Sequence, residues 1–102
     1  MLSIFLIRSF RSGGTEDIFN GRATRTARQC LSQALWRVGT RKLEALDSAE
    51  SPLDLRVPPG NRLEQLKGRR TGQHSIRIND QFRICFKWTE AGPEDVEIVD
   101  YH

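Results

Sequence analysis

Cysteine is scarce in this chain. Cys30 and Cys85 stand far apart in 102 residues, and neither has a His or a second Cys at metal-ligand spacing. That argues against a disulfide-stapled or metal-held fold and leaves two reduced packing thiols, with Cys85 inside an apolar strand pattern. Long apolar runs are absent too; none approaches the ~18 residues of a membrane span. The opening Met1-Leu2-Ser3-Ile4-Phe5-Leu6-Ile7 has no positive charge ahead of its apolar stretch. Arg8-Ser9-Phe10-Arg11 follows where a secretory signal would carry small residues. The segment reads as the opening strand of a cytoplasmic protein. Internal repeats and low-complexity tracts are also missing. Acid is nearly absent from residues 56–88, where Arg56, Arg62, Lys67, Arg69, Arg70, Arg77, Arg83 and Lys87 face only Glu64 and Asp80. Base is absent from residues 89–102, which carry Glu90, Glu94, Asp95, Glu97 and Asp100.

What is present suits one globular domain spanning residues 1–102. The chain is of ordinary domain length. Its 37% hydrophobic and 28% charged residues are enough apolar material for a core and too much for a disordered segment. The basic block is an electrostatic footprint for a polyanion, phosphate being the usual one. The plainer alternative is a solvated charged face.

Hydrophobic periodicity orders the elements. Ser3 to Phe10 reads as a strand broken by Gly13-Gly14. Thr15-Glu16-Asp17 then starts a short helix, with Ile18 and Phe19 on its apolar side and Gly21 at its end. Leu31, Leu35, Val38, Leu46 and Ala49 recur near helical spacing, which predicts a second helix capped by Ser32, with a bend or tight contact at Gly39. Leu53 to Asn61 is a loop around Pro58-Pro59-Gly60. Short strands follow at Arg62–Leu66, Ser75–Ile78, Phe82–Trp88 and Val96–Val99, with turns at Asn79-Asp80-Gln81 and Thr89–Pro93. The order β-α-α-β-β-β-β indicates an α+β fold: a mostly antiparallel sheet with two N-terminal helices on one face. In the Phe82–Trp88 strand, Phe82, Ile84, Phe86 and Trp88 point one way and Arg83, Cys85 and Lys87 the other. If the apolar side meets the helices, Arg83 and Lys87 emerge on an open face, joined by Arg77, as a cradle for a nucleic-acid backbone.

The chain ends in Val96-Glu97-Ile98-Val99-Asp100-Tyr101-His102. A β-branched strand running straight into a carboxylate, a phenol and an imidazole holds those three groups in place. Groups so fixed are equipped for proton transfer, which marks a candidate small enzyme.

Three stretches together carry a family resemblance: Leu63-Glu64-Gln65-Leu66-Lys67-Gly68, Gly72-Gln73-His74-Ser75-Ile76-Arg77-Ile78-Asn79-Asp80-Gln81-Phe82-Arg83-Ile84-Cys85-Phe86, and the terminal Val96–His102 run. With Ile7-Arg8-Ser9-Phe10 and Arg41-Lys42-Leu43-Glu44-Ala45-Leu46-Asp47, the chain resembles the HigB branch of the RelE-like toxins of bacterial toxin–antitoxin systems. The resemblance implies a compact RNase fold and cleavage of messenger RNA in the ribosomal decoding site. It also implies neutralisation by a HigA-like helix-turn-helix antitoxin, and repression of operator DNA by the complex. No cofactor, metal or membrane enters.

RNA can be cut by its own 2′-hydroxyl attacking the adjacent phosphate. The reaction needs a base, cations for the charge growing on phosphate, and an acid for the leaving oxygen. Lys67 and Arg83 are the cations, matching family positions associated with transition-state stabilisation; Arg can grip phosphate through two donors, Lys as a compact charge. His102 is the leading acid, since imidazole titrates nearest neutrality. Asp100, or alternatively Glu64, serves as base or orients the imidazole, and Tyr101 stacks on a base or positions the phosphate. Along a regular strand Asp100 and His102 share one face and Tyr101 the other, so a twist or bulge must bring all three together. Arg62, Arg69, Arg70, His74, Arg77 and Lys87 are candidates for holding RNA or ribosomal backbone. One HigB branch places a His where Glu64 stands. That departure leaves room for a second reading: a catalytically weak RNA-binding module acting mainly with its antitoxin.

Overall fold

The computed structural model describes residues 6–101. Three helices, α1 (Gly13–Phe19), α2 (Arg25–Cys30) and α3 (Trp36–Ser48), precede a four-stranded sheet of β1 (Glu64–Gln65), β2 (Gln73–Arg77), β3 (Phe82–Thr89) and β4 (Gly92–Asp100). The strands lie in sequence order and every pairing is antiparallel. The expected α+β fold therefore stands, with one helix more than the periodicity predicts.

The apolar side of β3 meets the helices. Ile18, Leu43, Leu46 and Leu55 pack with Ile76, Ile84, Phe86, Val96 and Ile98 into one buried cluster. Fully burying each large apolar side chain contributes roughly 1.5–3 kcal/mol. α1 is capped by Ser12, whose Oγ accepts from the Thr15 N–H at 3.1 Å. Thr15 is fully buried and links layers: its Oγ1 accepts from the Ile98 N–H at 2.9 Å and stands 2.8 Å from the Ser12 hydroxyl.

Two expectations need correction. Among the described residues the opening segment contributes one bridge only, Phe10 beside Val96 in parallel, with Arg8 N–H donating to the Pro93 carbonyl and Arg11 N–H to that of Val96. The Ile7 N–H donates instead to the Asp47 carboxylate of α3 at 2.9 Å; Ser3, Ile4 and Phe5 lie outside the described residues. The short segment still covers the outer edge of β4, which a bare edge strand requires. The second correction is the long helix. Leu31 is extended (φ −152°, ψ 137°), and Ser32 makes no capping bond. A 3₁₀ turn at Gln33–Leu35 then leads into α3. Ahead of this break lies α2, capped by the Thr24 hydroxyl on the Ala27 N–H at 3.0 Å.

Gly39 makes the tight contact expected of it: a Cβ there would stand 3.0 Å from Leu31 Cδ2. Gly14 is tighter still, since a Cβ would lie 2.6 Å from Cys30 Cβ and 2.7 Å from the Thr26 carbonyl oxygen. The missing side chain lets α1 and α2 close on each other.

Candidate active site

Register across the sheet places the chemistry. Opposite the helices, Glu64 of β1 faces Ser75 of β2, Ser75 faces Cys85 of β3, and Cys85 faces Glu97 of β4. One step along, Arg77 faces Arg83 and Arg83 faces Val99. Arg83 and Lys87 thus share the predicted face with Arg77. The face is not the open guanidinium surface expected, because Arg83 is only 9% exposed. Its Nε donates to Ser75 Oγ at 2.8 Å and its Nη2 to the Arg62 carbonyl at 2.6 Å. Glu64 Oε1 lies 3.5 Å from the same Nη2, and the guanidinium carbon sits 5.6 Å from the Tyr101 ring centroid. Arg77 pairs with Asp80 across the hairpin, and Lys87 is exposed beyond the β3–β4 bulge.

A second knot lies on the same face. Arg70 Nη1 donates to Glu97 Oε1 and to Gln73 Oε1, both at 3.0 Å, and Arg11 Nε is 3.9 Å from Glu97. Burial opposes the charge of Arg70, but the hydrogen bond and charge of Glu97 outweigh it and raise its pKa. Arg11, Arg69, Arg70 and Gln73 line a cavity of about 200 Å³. Three guanidiniums line this cleft, and Glu97 pairs with two of them, Arg11 and Arg70. Between the two knots lies Cys85, whose thiol burial pushes up despite nearby Arg70 and Arg83, so it is a protonated packing group at neutral pH.

Among the sequence candidates, Glu64, Arg83 and Tyr101 are in direct contact. Tyr101 reaches Arg83 because it continues the parity of Val99 and its N–H is fixed by the Gln81 carbonyl at 2.7 Å. Asp100 faces Phe82 and accepts from Gln81 Nε2 at 3.0 Å, on the other parity. Lys67 is exposed where β1 runs into the Gly68–Arg70 turn. Arg62 supplies its carbonyl to Arg83 and leaves its own side chain exposed. His102 lies outside the described residues. Sequence reasoning did not single out Arg11, Ser75 or Glu97: Arg11 sits in the opening segment, and the contacts of Ser75 with Arg83 and of Glu97 with Arg70 show only once the register is known. Among the described residues no group of three or more His, Cys, Asp or Glu is placed to hold a metal ion. No helix among them is long and apolar enough to cross a membrane.

His74 turns to the helix side, where its ring stacks on Phe86 (centroids 5.8 Å, planes 15° apart) and its Nδ1 is buried without a hydrogen-bond partner among the described residues. Burial lowers its pKa from the usual imidazole value. The folded state therefore holds His74 neutral while the unfolded chain takes up its proton near pH ~6.5. The unfolded state binds more protons in that window, so stability falls as pH drops through and below it. Urea unfolding at pH 7.5 and 5.5 should show a smaller acid loss in His74→Phe than in the parent; equal losses would contradict this.

Comparison with known proteins gives this geometry a family. Residues 8–102 match the family model of the RelE-like toxin of type II toxin-antitoxin system HigB. The chain belongs to the HigB-like toxin family. Toxin HigB-1 of Vibrio cholerae is 54% identical over 51 residues, covering 50% of this chain and 54% of the relative. An uncharacterized protein of Haemophilus influenzae is 41% identical over 54 residues, 53% of this chain and 54% of that protein. The chain thus spans about half the length of the curated relatives it matches. Among solved structures, the YoeB–YefM complex from Staphylococcus aureus superposes with a TM-score of 0.59 at 17% identity, covering 94% of this chain and 97% of that one. A heterotetrameric YoeB–YefM toxin–antitoxin complex from the same organism gives 0.58. The likeness establishes the RelE-like fold for this HigB-like chain.

Proposed function

We propose that this HigB-like chain is the toxin of a type II system and an endoribonuclease that cuts messenger RNA in the ribosomal decoding site. The observation that carries the reading is the Glu64–Arg83–Tyr101 contact at the centre of a basic face: a carboxylate, a guanidinium and an aromatic ring together, with His102 directly following Tyr101 in the chain.

The chemistry is internal attack. Glu64 takes the proton of the 2′-hydroxyl, whose oxygen forms a new bond to phosphorus as the bond to the 5′-oxygen breaks. Arg83 and Lys67 stabilise the charge developing on the phosphoryl oxygens. His102, as its imidazolium, protonates the departing 5′-oxygen. The products are a 2′,3′-cyclic phosphate and a 5′-hydroxyl. Tyr101 supplies a surface for a base to stack on. Asp100, on the other parity, orients the terminus through Gln81. Arg11, Arg69 and Arg70 hold neighbouring phosphates, with Arg62, Arg77 and Lys87 as further backbone contacts. A helix-turn-helix antitoxin neutralises the toxin in the cytoplasm, and the pair represses its operator.

Glu64 within reach of Arg83 also favours a second reading, a weak enzyme whose cation is partly satisfied internally and which acts mainly through its antitoxin complex. Induction without an antitoxin separates the two. Growth arrest and transcript cleavage are expected from the parent, and both should be lost on His102→Ala with the far-ultraviolet dichroism unchanged. Arrest that survives His102→Ala would sink the assignment of the acid.

A further inference from the structure

A guanidinium on a long side chain is a mobile cation unless something removes its freedom. At Arg83 that freedom is removed from two sides. Ser75, fully buried on the neighbouring strand, accepts from Nε, and the Arg62 carbonyl accepts from Nη2. The hydroxyl is sequestered from water, so Arg83 is the partner the structure gives it.

The carbonyl is available because Arg62 adopts a left-handed conformation (φ 46°, ψ 57°), which non-glycine residues take only where their surroundings impose it. Those surroundings centre on Asn61, 1% exposed. Its Nδ2 donates to the Leu55 carbonyl at 3.1 Å and to that of Val57 at 3.3 Å, and its Oδ1 accepts from the Lys42 ammonium of α3. The Arg62 N–H is itself tied to the Pro59 carbonyl at 3.1 Å. One amide therefore joins the helix layer, the loop after it and the residue whose carbonyl faces Arg83. Neither Ser75 nor Asn61 is charged, and both are buried away from any RNA.

We infer that Ser75 and Asn61 are positioning residues for Arg83, holding the guanidinium so that Nη1 alone meets the scissile phosphate. The inference rests on reading Arg83 as the phosphate cation. It refines that reading, because Nε and Nη2 are engaged by protein and Nη1 is the nitrogen with no partner among the described residues. Contact through one nitrogen replaces the two-donor fork that the residue type alone suggests.

The test uses the full chain labelled with ¹⁵N. The Arg83 Nε–H proton should exchange slowly with water in the parent and at least about ten-fold faster in Ser75→Ala, a measure of the lost charge-assisted bond. Lys42→Met, a milder change than altering buried Asn61, should accelerate it as well. In single-turnover cleavage of RNA on ribosomes, Ser75→Ala should slow the chemical step about ten-fold, with RNA affinity within about two-fold. In an Arg83→Ala background the same change should cost nothing more. Equal losses in both backgrounds, or unchanged Nε–H exchange, would overturn the positioning role while leaving the ribonuclease reading intact. If Arg83→Ala alone leaves cleavage unchanged, the reading beneath the inference fails, and the exchange measurement shows separately whether the clamp exists.

Discussion

Arg83→Ala is expected to lower the rate of RNA cleavage by about 10²–10³-fold, the cost of removing one preorganised donor from a developing oxyanion. On induction without antitoxin the variant should restore growth. Arg83 is a buried cation at the middle of the basic face, held by Ser75, the Arg62 carbonyl and Glu64 and covered by Tyr101. Arg83→Lys is the informative companion. It keeps the charge but cannot satisfy the Ser75 hydroxyl and Arg62 carbonyl while also presenting a planar nitrogen, so most of the loss should remain. Full rescue by lysine would show that only a point charge is needed. A residual stability loss of about 1–3 kcal/mol is expected from the unpaired buried acceptors, so activity is compared at a temperature where thermal melts show each variant folded.

Gly14→Ala should be the most destabilising single methyl in the helical layer. The added Cβ would meet Cys30 Cβ at 2.6 Å and the Thr26 carbonyl at 2.7 Å, and the second of these is backbone that cannot rotate away. Overpacking of this kind costs about 1–3 kcal/mol, against which the helix propensity of alanine returns up to about 1 kcal/mol. A melting temperature lower by about 5–10 °C follows for a domain of this size. Gly13→Ala is the control one residue away, where an added Cβ meets nothing within 4 Å. It should be neutral or slightly stabilising. If the two substitutions behave alike, the close packing of α1 on α2 is not what the geometry says it is.

The sheet was the legible part of this chain, for a physical reason. β3 has one face in the core, and period-two alternation records that directly: Phe82, Ile84 and Phe86 on the helix side, Arg83, Cys85 and Lys87 on the other. The Asn79 turn was equally plain, since its side chain accepts from the Gln81 and Phe82 N–H groups. α2 left no such trace. It buries only Ala27, so it has no apolar stripe to detect, and its one local mark is the Thr24 cap. The opening apolar run promised a full strand, yet Asp47, forty residues away, takes its Ile7 N–H.

At the site the residue types were readable and their surroundings were not. Charge alternating on a strand reads as solvent-facing, whereas Arg83 is buried by partners 8 and 21 residues away in sequence. Parity did foresee that Tyr101 and Asp100 would part. It could not say which of them would join the arginine, because that depends on the register between β3 and β4, which sets Arg83 opposite Val99.

The most direct measurement is the chemistry of RNA ends recovered from translating ribosomes after induction. Cleavage by internal attack beside Arg83 predicts new 5′-hydroxyl ends paired with 2′,3′-cyclic phosphates, abundant with the parent chain and missing with Arg83→Ala. New 5′-phosphate ends, or the same cyclic ends undiminished in the variant, would contradict it.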